Sequence, residues 1–294
     1  MADTTRSVRP AWVDDELFPF DSRFVDIDGH TVHYIDEGTG PTLLFLHGNP
    51  TWSFLWREVI LALRGDFRCI ALDYPGFGLS TAKVGYRYLP EEHADLVTGF
   101  IDALGLTGVT LVGQDWGGPI GLAAARRRPG VVDRLVLANT WAWPVNGILH
   151  FEAFSRIVGG LPFRFLVRRF NLLVDAFIPT GHRRRKPTSA EMTHYNRALD
   201  TAERRQASAV LPGRILASRA FFVELEDGLA DLAHLPTLIV WGDADIAFRP
   251  QERERLEATF TDHTTVIVEG AGTYVESDAP EEFVAAIRNW ESTH

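Results

Sequence analysis

The sequence predicts an α/β fold with a mostly parallel central sheet and helices on both faces. Short apolar runs rich in β-branched residues alternate with helical patterns through the first half of the chain, and strand-like runs return near the C-terminus. These runs are apolar at nearly every position, which is typical of parallel strands that are buried on both faces. Residues 139–228, by contrast, show helical patterns without a convincing strand.

The first half of the chain opens with a predicted hairpin, whose two alternating strands meet at Asp28-Gly29, a dipeptide typical of tight turns. Strands and helices then alternate: strand Thr42–Leu46, helix near Phe54–Leu63, strand Phe67–Leu72, helix Pro90–Leu104, strand Val109–Val112, helix Gly117–Arg127 and strand Arg134–Ala138. This alternation indicates βαβ units, which build a parallel sheet.

Beyond the helical segment the alternation resumes. Strands are predicted at Thr237–Trp241 and Thr264–Val268, and a final helix at about Glu281–Trp290. We therefore predict two domains: a core formed by residues 1–138 and 229–294, and a helical cap domain formed by residues 139–228.

The composition limits the classes of partner. Of 294 residues 46% are hydrophobic and 23% charged, which excludes intrinsic disorder. The net charge of −10 should repel nucleic acid and anionic lipid, so neither a nucleic acid nor a membrane is expected as a partner. The single cysteine, Cys69, lies in an apolar run and is expected to be a buried, inert thiol. With no signal peptide and no long apolar segment, we expect a cytoplasmic protein.

A strand-to-helix turn around Asp115 carries the main functional signal. Residues Val109–Ala125 contain a strand, a Gly-x-Asp-x-Gly turn and a helix that opens with two glycines. Such an elbow presents its central side chain above the sheet, beside the backbone N–H groups of a helix N-terminus. A carboxylate there can displace a leaving group directly and form an ester, whereas a serine esterase is excluded. The alternative is that Asp115 only caps the helix.

Two further segments follow neighbouring strands: HGNPTWSFLWR at His47–Arg57 and LDYPGFGLS at Leu72–Ser80. Together with GQDWGG at Gly113–Gly118, they resemble the α/β-hydrolase superfamily and, more specifically, the haloalkane dehalogenases. The resemblance extends over nearly the whole chain, including LANTWAWP and the helical segment. It implies an α/β-hydrolase fold with an inserted helical cap.

The resemblance also implies roles for individual residues. Asp115 would attack the halogen-bearing carbon of a small halogenated alkane, and the side-chain N–H groups of Asn49 and Trp116 would bind the departing halide ion. The backbone N–H groups of Asn49 and Trp116 would form the oxyanion hole. The catalytic acid would be Asp245, with Asp243 as the alternative. Neither a metal nor a cofactor is implied.

One position departs from the family pattern. Family members carry a catalytic histidine after the last strand, in a segment that resembles EGAGTYVESDAPEEF of this chain, where Thr273 occupies its position. A hydroxyl cannot deprotonate water at neutral pH. We therefore expect a trapped or hydrolysis-impaired enzyme, through an introduced substitution or natural loss, unless another base replaces histidine. No substitute is evident, because six histidines are expected to face solvent: His93, His150, His182, His194, His234 and His294.

Two other functions stay open at this point. An epoxide hydrolase also uses an aspartate nucleophile and a cap, but would call for cap tyrosines, and the predicted cap contains only Tyr195. A non-catalytic binding protein of the same fold would explain the missing base. The charged segment His182–Pro187 is expected to be a solvated turn.

Overall fold

The computed structural model describes residues 9–293 and contains one eight-stranded sheet within them. The strands are β1 Arg23–Ile27, β2 His30–Glu37, β3 Thr42–Leu46, β4 Arg68–Leu72, β5 Val109–Gln114, β6 Val132–Ala138, β7 Thr237–Gly242 and β8 His263–Val268. Their order in the sheet is β1-β2-β4-β3-β5-β6-β7-β8. The hairpin β1-β2 and the pair β2-β4 are antiparallel, and every other pair is parallel. The predicted α/β-hydrolase fold class is confirmed.

The central strands are buried on both faces, as their continuous apolar runs predicted. On β3, Leu43 and Phe45 belong to one hydrophobic cluster, and Leu44 and Leu46 belong to the cluster on the opposite face. Successive side chains of a strand point to opposite faces. A sheet between two helical layers therefore needs apolar residues at every position, and these strands supply them.

The helices of the core cover both faces of this sheet. They are α1 Arg57–Leu63, α2 Pro90–Leu104, α3 Gly117–Arg127, α10 Pro250–Thr259, α11 Val275–Asp278 and α12 Pro280–Glu291. Helices α2 and α3 have the predicted bounds, and α2 begins with a proline and ends at Gly105 in the left-handed conformation, the residue types that favour those ends. The predicted helix at Phe54–Leu63 is divided into a 3₁₀ turn, Ser53–Trp56, and α1.

Six helices stand between β6 and β7 in the described chain. They are α4 Leu149–Val158, α5 Leu161–Phe170, α6 Leu172–Gly181, α7 Ser189–Ala198, α8 Arg205–Ala217 and α9 Arg219–Asp227. Their apolar faces continue the hydrophobic cluster of the sheet, since Phe151, Leu211 and Phe222 belong to the same cluster as Leu44. All six lie within the predicted cap segment, 139–228, while its treatment as a separate domain stays a prediction.

The prediction that six histidines face solvent was wrong for three of them. His93, His182 and His194 are buried. His93 contacts the Tyr86 hydroxyl at 3.0 Å, and burial lowers its pKa to about 3. Nε2 of His194 accepts a hydrogen bond from the Asp14 backbone N–H at 3.0 Å. Both ring nitrogens of His182 and His194 have partners within the fold, whereas Nε2 of His93 has none among the described residues, and a single sequence reveals neither arrangement. His294 lies outside the described residues.

The side chains of Arg183, Arg184 and Lys186 in the charged segment His182–Pro187 are exposed, as predicted, but the backbone of this segment is bound to the core. The backbone N–H groups of Arg183, Arg184 and Arg185 donate to the Asp278 carboxylate at 2.8, 2.9 and 2.7 Å. These hydrogen bonds keep the pKa of Asp278 below its ordinary value although burial acts in the opposite direction. The segment therefore connects the inserted helices to the end of α11.

The single cysteine, Cys69, is buried, and its reactivity follows from that burial. Burial raises the pKa of the Cys69 thiol to about 12, so this cysteine is unreactive at neutral pH, as predicted. Among residues 9–293, none of the helices has the length and apolar character needed to cross a membrane.

Candidate active site

The turn between β5 and α3 holds Asp115 in a conformation that few residue types adopt. Its φ is +49°, in the left-handed region, which aspartate tolerates better than most residues with a side chain. The Thr140 hydroxyl donates to the Asp115 carbonyl at 2.6 Å, and the Asp115 N–H donates to the Asn139 carbonyl at 3.1 Å. Both contacts come from the loop after β6. The neighbouring strand therefore holds the predicted elbow in place.

Close backbone approach explains the glycines around this turn. A Cβ atom on Gly117 would lie 2.0 Å from the Leu46 carbonyl oxygen, and one on Gly48 would lie 2.4 Å from Oδ2 of Asp115. Both distances are shorter than any real contact, so the loop after β3 and the elbow meet only without side chains at these positions. The HGN and DWG segments are thereby brought together around one carboxylate.

The Asp115 carboxylate is buried and accepts backbone hydrogen bonds. The Asn49 N–H donates to Oδ2 at 2.8 Å, and the Trp116 N–H also contacts the carboxylate. Burial raises the pKa of Asp115 to about 7, and the negative charge of Asp245 acts in the same direction. The two backbone N–H groups partly oppose this shift because they stabilise the charged form.

Asp115 lies on the wall of a cavity of about 250 Å³. One part of this wall comes from loops of the core and carries polar groups: Asn49, Asp115, Trp116, Thr273 and Tyr274. The inserted helices supply a mostly apolar part: Phe151, Phe154, Leu173, Phe177, Pro212 and Ile215. The structure thus brings four of the five predicted site residues to one cavity.

Asn49 and Trp116, the predicted halide donors, both line this cavity. Nδ2 of Asn49 donates to the Ser208 carbonyl at 3.2 Å, which orients the amide. An amide NH₂ has two donors, so one N–H remains after this contact. The Trp116 indole is buried and packs edge-on against Trp141, with ring centroids 4.9 Å apart. Two preorganised N–H donors beside a carboxylate can stabilise an anion that departs from it.

The fifth predicted residue, Asp245, contacts Thr273. The Thr273 hydroxyl donates to Oδ1 of Asp245 at 2.7 Å, and Nδ2 of Asn139 donates to Oδ2 at 2.9 Å. Burial raises the pKa of Asp245, and these hydrogen bonds oppose the shift. Asp243 is exposed and accepts the Gly270 N–H at 2.6 Å, as a turn cap does. The geometry therefore favours Asp245 over Asp243 as the acid.

The loop after β8 is held from both sides of Thr273. Nε2 of Gln114 donates to the Thr273 carbonyl at 3.0 Å, and the Gly272 N–H donates to Asp278 at 2.8 Å. Asp278 also binds the Arg183–Arg185 backbone. The side chain at position 273 is consequently fixed between Asp245 and the cavity.

The sequence interpretation missed three polar residues of the cavity wall: His150, Thr180 and Tyr274. Tyr274 is buried there, and burial together with the charge of Asp115 raises the pKa of its hydroxyl well above the ordinary value. His150, expected to face solvent, lines the cavity, and its Nε2 is buried without a hydrogen-bond partner among the described residues. Burial, followed by the charge of Arg249, lowers the pKa of His150. Its spacing of four residues from Phe154 could have indicated a shared helix face.

Comparisons with known proteins identify the family of this chain. The α/β hydrolase fold family matches residues 41–278. Haloalkane dehalogenase 2 of Mycobacterium tuberculosis is 45% identical over 276 residues, which cover 93% of this chain and 96% of that protein. A cis-3-alkyl-4-alkyloxetan-2-one decarboxylase of Shewanella oneidensis is 29% identical over 291 residues, 94% of this chain and 90% of that one.

A solved structure extends the likeness to three dimensions. The crystal structure of an ancestral haloalkane dehalogenase matches with a TM-score of 0.83 at 28% identity, and covers 92% of this chain and 98% of its own. The resemblance inferred from the motifs around Asn49 and Asp115 is confirmed at the level of the family. The chain belongs to the α/β hydrolase fold family and, within it, to the haloalkane dehalogenases.

Proposed function

We propose that this protein cleaves the carbon–halogen bond of small haloalkanes through an ester on Asp115, and that hydrolysis of this ester is impaired. The observation that carries the proposal is the composition of the cavity. It places a buried carboxylate beside the Asn49 and Trp116 donors, in a space otherwise walled mostly by apolar side chains. An apolar alkyl halide fits such a cavity, and the donors suit the halide.

The first step needs only groups that line the cavity. A carboxylate oxygen of Asp115 attacks the halogen-bearing carbon, a carbon–oxygen bond forms, and the halide leaves with the bonding electron pair. The side-chain N–H groups of Asn49 and Trp116 stabilise the departing anion. No proton is transferred, so the step needs no general base.

The second step needs a base that position 273 lacks. Water must lose a proton as it attacks the ester carbonyl, while backbone N–H groups of Asn49 and Trp116 stabilise the oxyanion. The Thr273 hydroxyl donates a hydrogen bond to Asp245 at 2.7 Å, and a hydroxyl is far too weak a base at neutral pH. The ester should therefore persist after halide release.

Intact-mass spectrometry after exposure to 1-bromobutane or 1,2-dibromoethane tests this function. We expect the mass of one alkyl group on Asp115 and about one equivalent of bromide, because displacement proceeds and hydrolysis does not. The Asp115→Asn variant is the control and should gain no mass. An unchanged mass after long incubation, with the cavity shown to be open by binding of an apolar probe, would falsify nucleophilic capture.

The same measurement separates the other candidate functions. A non-catalytic binding protein would bind bromoalkanes without bromide release. An epoxide hydrolase is less well supported, because Tyr195, the tyrosine of the inserted segment, packs against Phe54 and does not line the cavity. A cis-3,4-dialkyl-oxetan-2-one, the substrate class in the name of the Shewanella oneidensis relative, belongs in the assay as a third substrate.

A further inference from the structure

The outer surface of α4 and α5 exposes large apolar side chains in unusual density. Among residues 9–293, ten large apolar side chains are exposed, and six of them lie between residues 149 and 170. Five of the six have exposed fractions from 54% to 81%: Leu149, Ile157, Leu161, Phe165 and Phe170. Phe170 lies nine residues after Leu161 and therefore on the opposite side of α5. We refer to the other four side chains, together with the arginines of α5, as the α4–α5 face. Concentrated exposure of this kind marks an interaction surface.

The charge of the α4–α5 face is opposite to that of the whole chain. Helix α5 carries Arg164, Arg168 and Arg169 and no acidic residue. None of these three forms an ion pair with the rest of the chain that the structure describes. On α4, Arg156 pairs with Glu152 at 2.9 Å, so the segment has a net positive charge while the chain carries −10.

Helix geometry arranges these residues as an amphipathic membrane-surface helix does. Leu161 and Phe165 are four residues apart and share one face of α5. Arg164 and Arg168 flank this face on one side, and Arg169 flanks it on the other. Val167 is the fully buried residue of α5 and Phe163 packs against the same small apolar cluster, whereas Leu161 and Phe165 stay exposed. Apolar side chains bordered by arginines suit the boundary between acyl chains and anionic headgroups.

A second copy of the chain is a poorer partner for this face. A two-fold dimer would place the same patch against itself, and therefore three arginines opposite three arginines. A bilayer of anionic phospholipid offers negative charge and an apolar interior within a few ångströms of each other. Helix α4 also connects this surface with the cavity, because Phe151 and Phe154 line the cavity while Leu149 and Ile157 are exposed.

We propose that the α4–α5 face binds peripherally to the surface of an anionic phospholipid bilayer. The expectation that this chain avoids lipid rests on its total negative charge. That total does not reveal the local positive charge of the α4–α5 face. When the protein is bound in this way, its cavity lies next to the acyl chains of the bilayer. Small apolar molecules concentrate in that phase. The binding itself does not depend on the proposed reaction, so its test uses no haloalkane.

Vesicle flotation with the full chain tests the proposal. Vesicles of phosphatidylglycerol and phosphatidylcholine should carry the protein, pure phosphatidylcholine vesicles should carry much less, and added salt should weaken binding to the anionic vesicles. Arg169→Glu should lower the partition coefficient about fivefold or more, since each cationic side chain contributes about 1 kcal/mol at such a surface. Phe165→Ser should lower it by a similar factor through lost apolar insertion.

Two matched variants control for charge and hydrophobicity. Arg219→Glu changes an exposed arginine on α9, and Val84→Ser changes an exposed apolar residue outside the inserted helices. Both should bind vesicles as the unmodified protein does. The proposal is wrong if anionic vesicles carry no protein, or if the control variants lose as much binding as Arg169→Glu and Phe165→Ser. It is also wrong if light scattering shows an oligomer that Phe165→Ser dissociates in the absence of lipid.

Discussion

The two walls of the cavity differ in how their side chains are held. On the core wall, hydrogen bonds from neighbouring loops fix the polar groups: Asn49 donates to Asp115, and Thr273 donates to Asp245. On the helical wall, aromatic packing positions the apolar groups, as where Phe154 meets Phe177 edge-on with centroids 5.6 Å apart. Hydrogen bonds specify distance and direction, whereas apolar packing specifies mainly volume.

We therefore expect the core wall to control the rate of reaction and the helical wall to control which substrates bind. A substitution on the core wall should change rate constants strongly, because each polar group meets a particular charge in the reaction. A substitution on the helical wall should change which substrates fit, with smaller effects, because methylene-sized changes in an apolar pocket are worth only about 1–3 kcal/mol.

The largest expected effect is a gain of turnover in Thr273→His. The new imidazole would face Asp245, and its ordinary pKa of about 6.5 suits a base at neutral pH. General-base catalysis contributes about 10²–10⁴-fold, and loss of a coupled catalytic group can cost on the order of 10⁶. Steady-state bromide release should therefore continue beyond one equivalent.

A double variant tests whether Asp245 supports that imidazole. Asp245→Asn in the Thr273→His background should remove most of the restored turnover, because the imidazolium loses its stabilising charge. The Asp243→Asn change in the same background is the matched control and should leave turnover intact, since Asp243 is exposed and its carboxylate binds the Gly270 N–H. A Thr273→His variant that folds and still stops after one equivalent would show that ester hydrolysis lacks more than the base at position 273.

Deletion of a halide donor should give the next largest effect. Asn49→Ala or Trp116→Phe should slow formation of the alkyl adduct about 10²-fold, the usual cost of one preorganised donor to a developing anion. Trp141→Phe is the control, because Trp141 lines the same cavity and packs on Trp116. Quenched-flow mass spectrometry measures the rate. Equal losses in Trp116→Phe and Trp141→Phe would mean that packing, not anion binding, accounts for the effect.

The pH dependence of adduct formation should follow Asp115. Burial raises the pKa of this carboxyl to about 7, and only the carboxylate is a nucleophile. The rate should be half-maximal near that pH, fall about tenfold for each pH unit below it, and level off above it. Asp245→Asn should move the midpoint to lower pH, because it removes a negative charge that raises the pKa of Asp115. A midpoint that stays in place would show that Asp245 does not influence the nucleophile.

The ionisation of Asp115 should also make the stability of the folded protein depend on pH. A carboxyl with a raised pKa in the folded state binds its proton more tightly there than in the unfolded chain. Stability is therefore lost as the pH rises from the ordinary value of 3.8 towards about 7. Asp115→Asn should remove this loss and unfold at a higher temperature than the unmodified protein at pH 8, with little difference at pH 4. Thermal unfolding at the two pH values measures it.

The smallest effect is expected on the helical wall. Phe154→Leu should change the apparent affinity for bromoalkanes by less than about tenfold and leave the maximal rate of adduct formation unchanged. The reason is that Phe154 lines the cavity without a polar contact to the reacting groups. Saturation kinetics with bromoalkanes of increasing length would separate the two parameters. A large loss of maximal rate would show that the helical wall also positions the reacting carbon.

The sequence by itself determined the sheet and the residues that surround Asp115. Continuous apolar runs such as those of β5 and β7 can be satisfied only inside a two-faced parallel sheet. The glycines around Asp115 permit one sharp turn. The close backbone approach at Gly48 then holds the loop after β3 beside the Asp115 side chain. These constraints are local in the chain or act between neighbouring strand ends, so residue types and spacing are sufficient to express them.

Only the tertiary structure decided the helical wall and the choice between similar residues. His150 reaches the cavity and His182 is buried because helices of the inserted segment pack in one particular arrangement, which apolar periodicity does not specify. Asp243 and Asp245 look alike in sequence, yet the position of Thr273 after another strand distinguishes them. The physical reason is that contacts between elements far apart in sequence depend on packing geometry, whereas hydrophobic pattern and turn chemistry depend on residues close together.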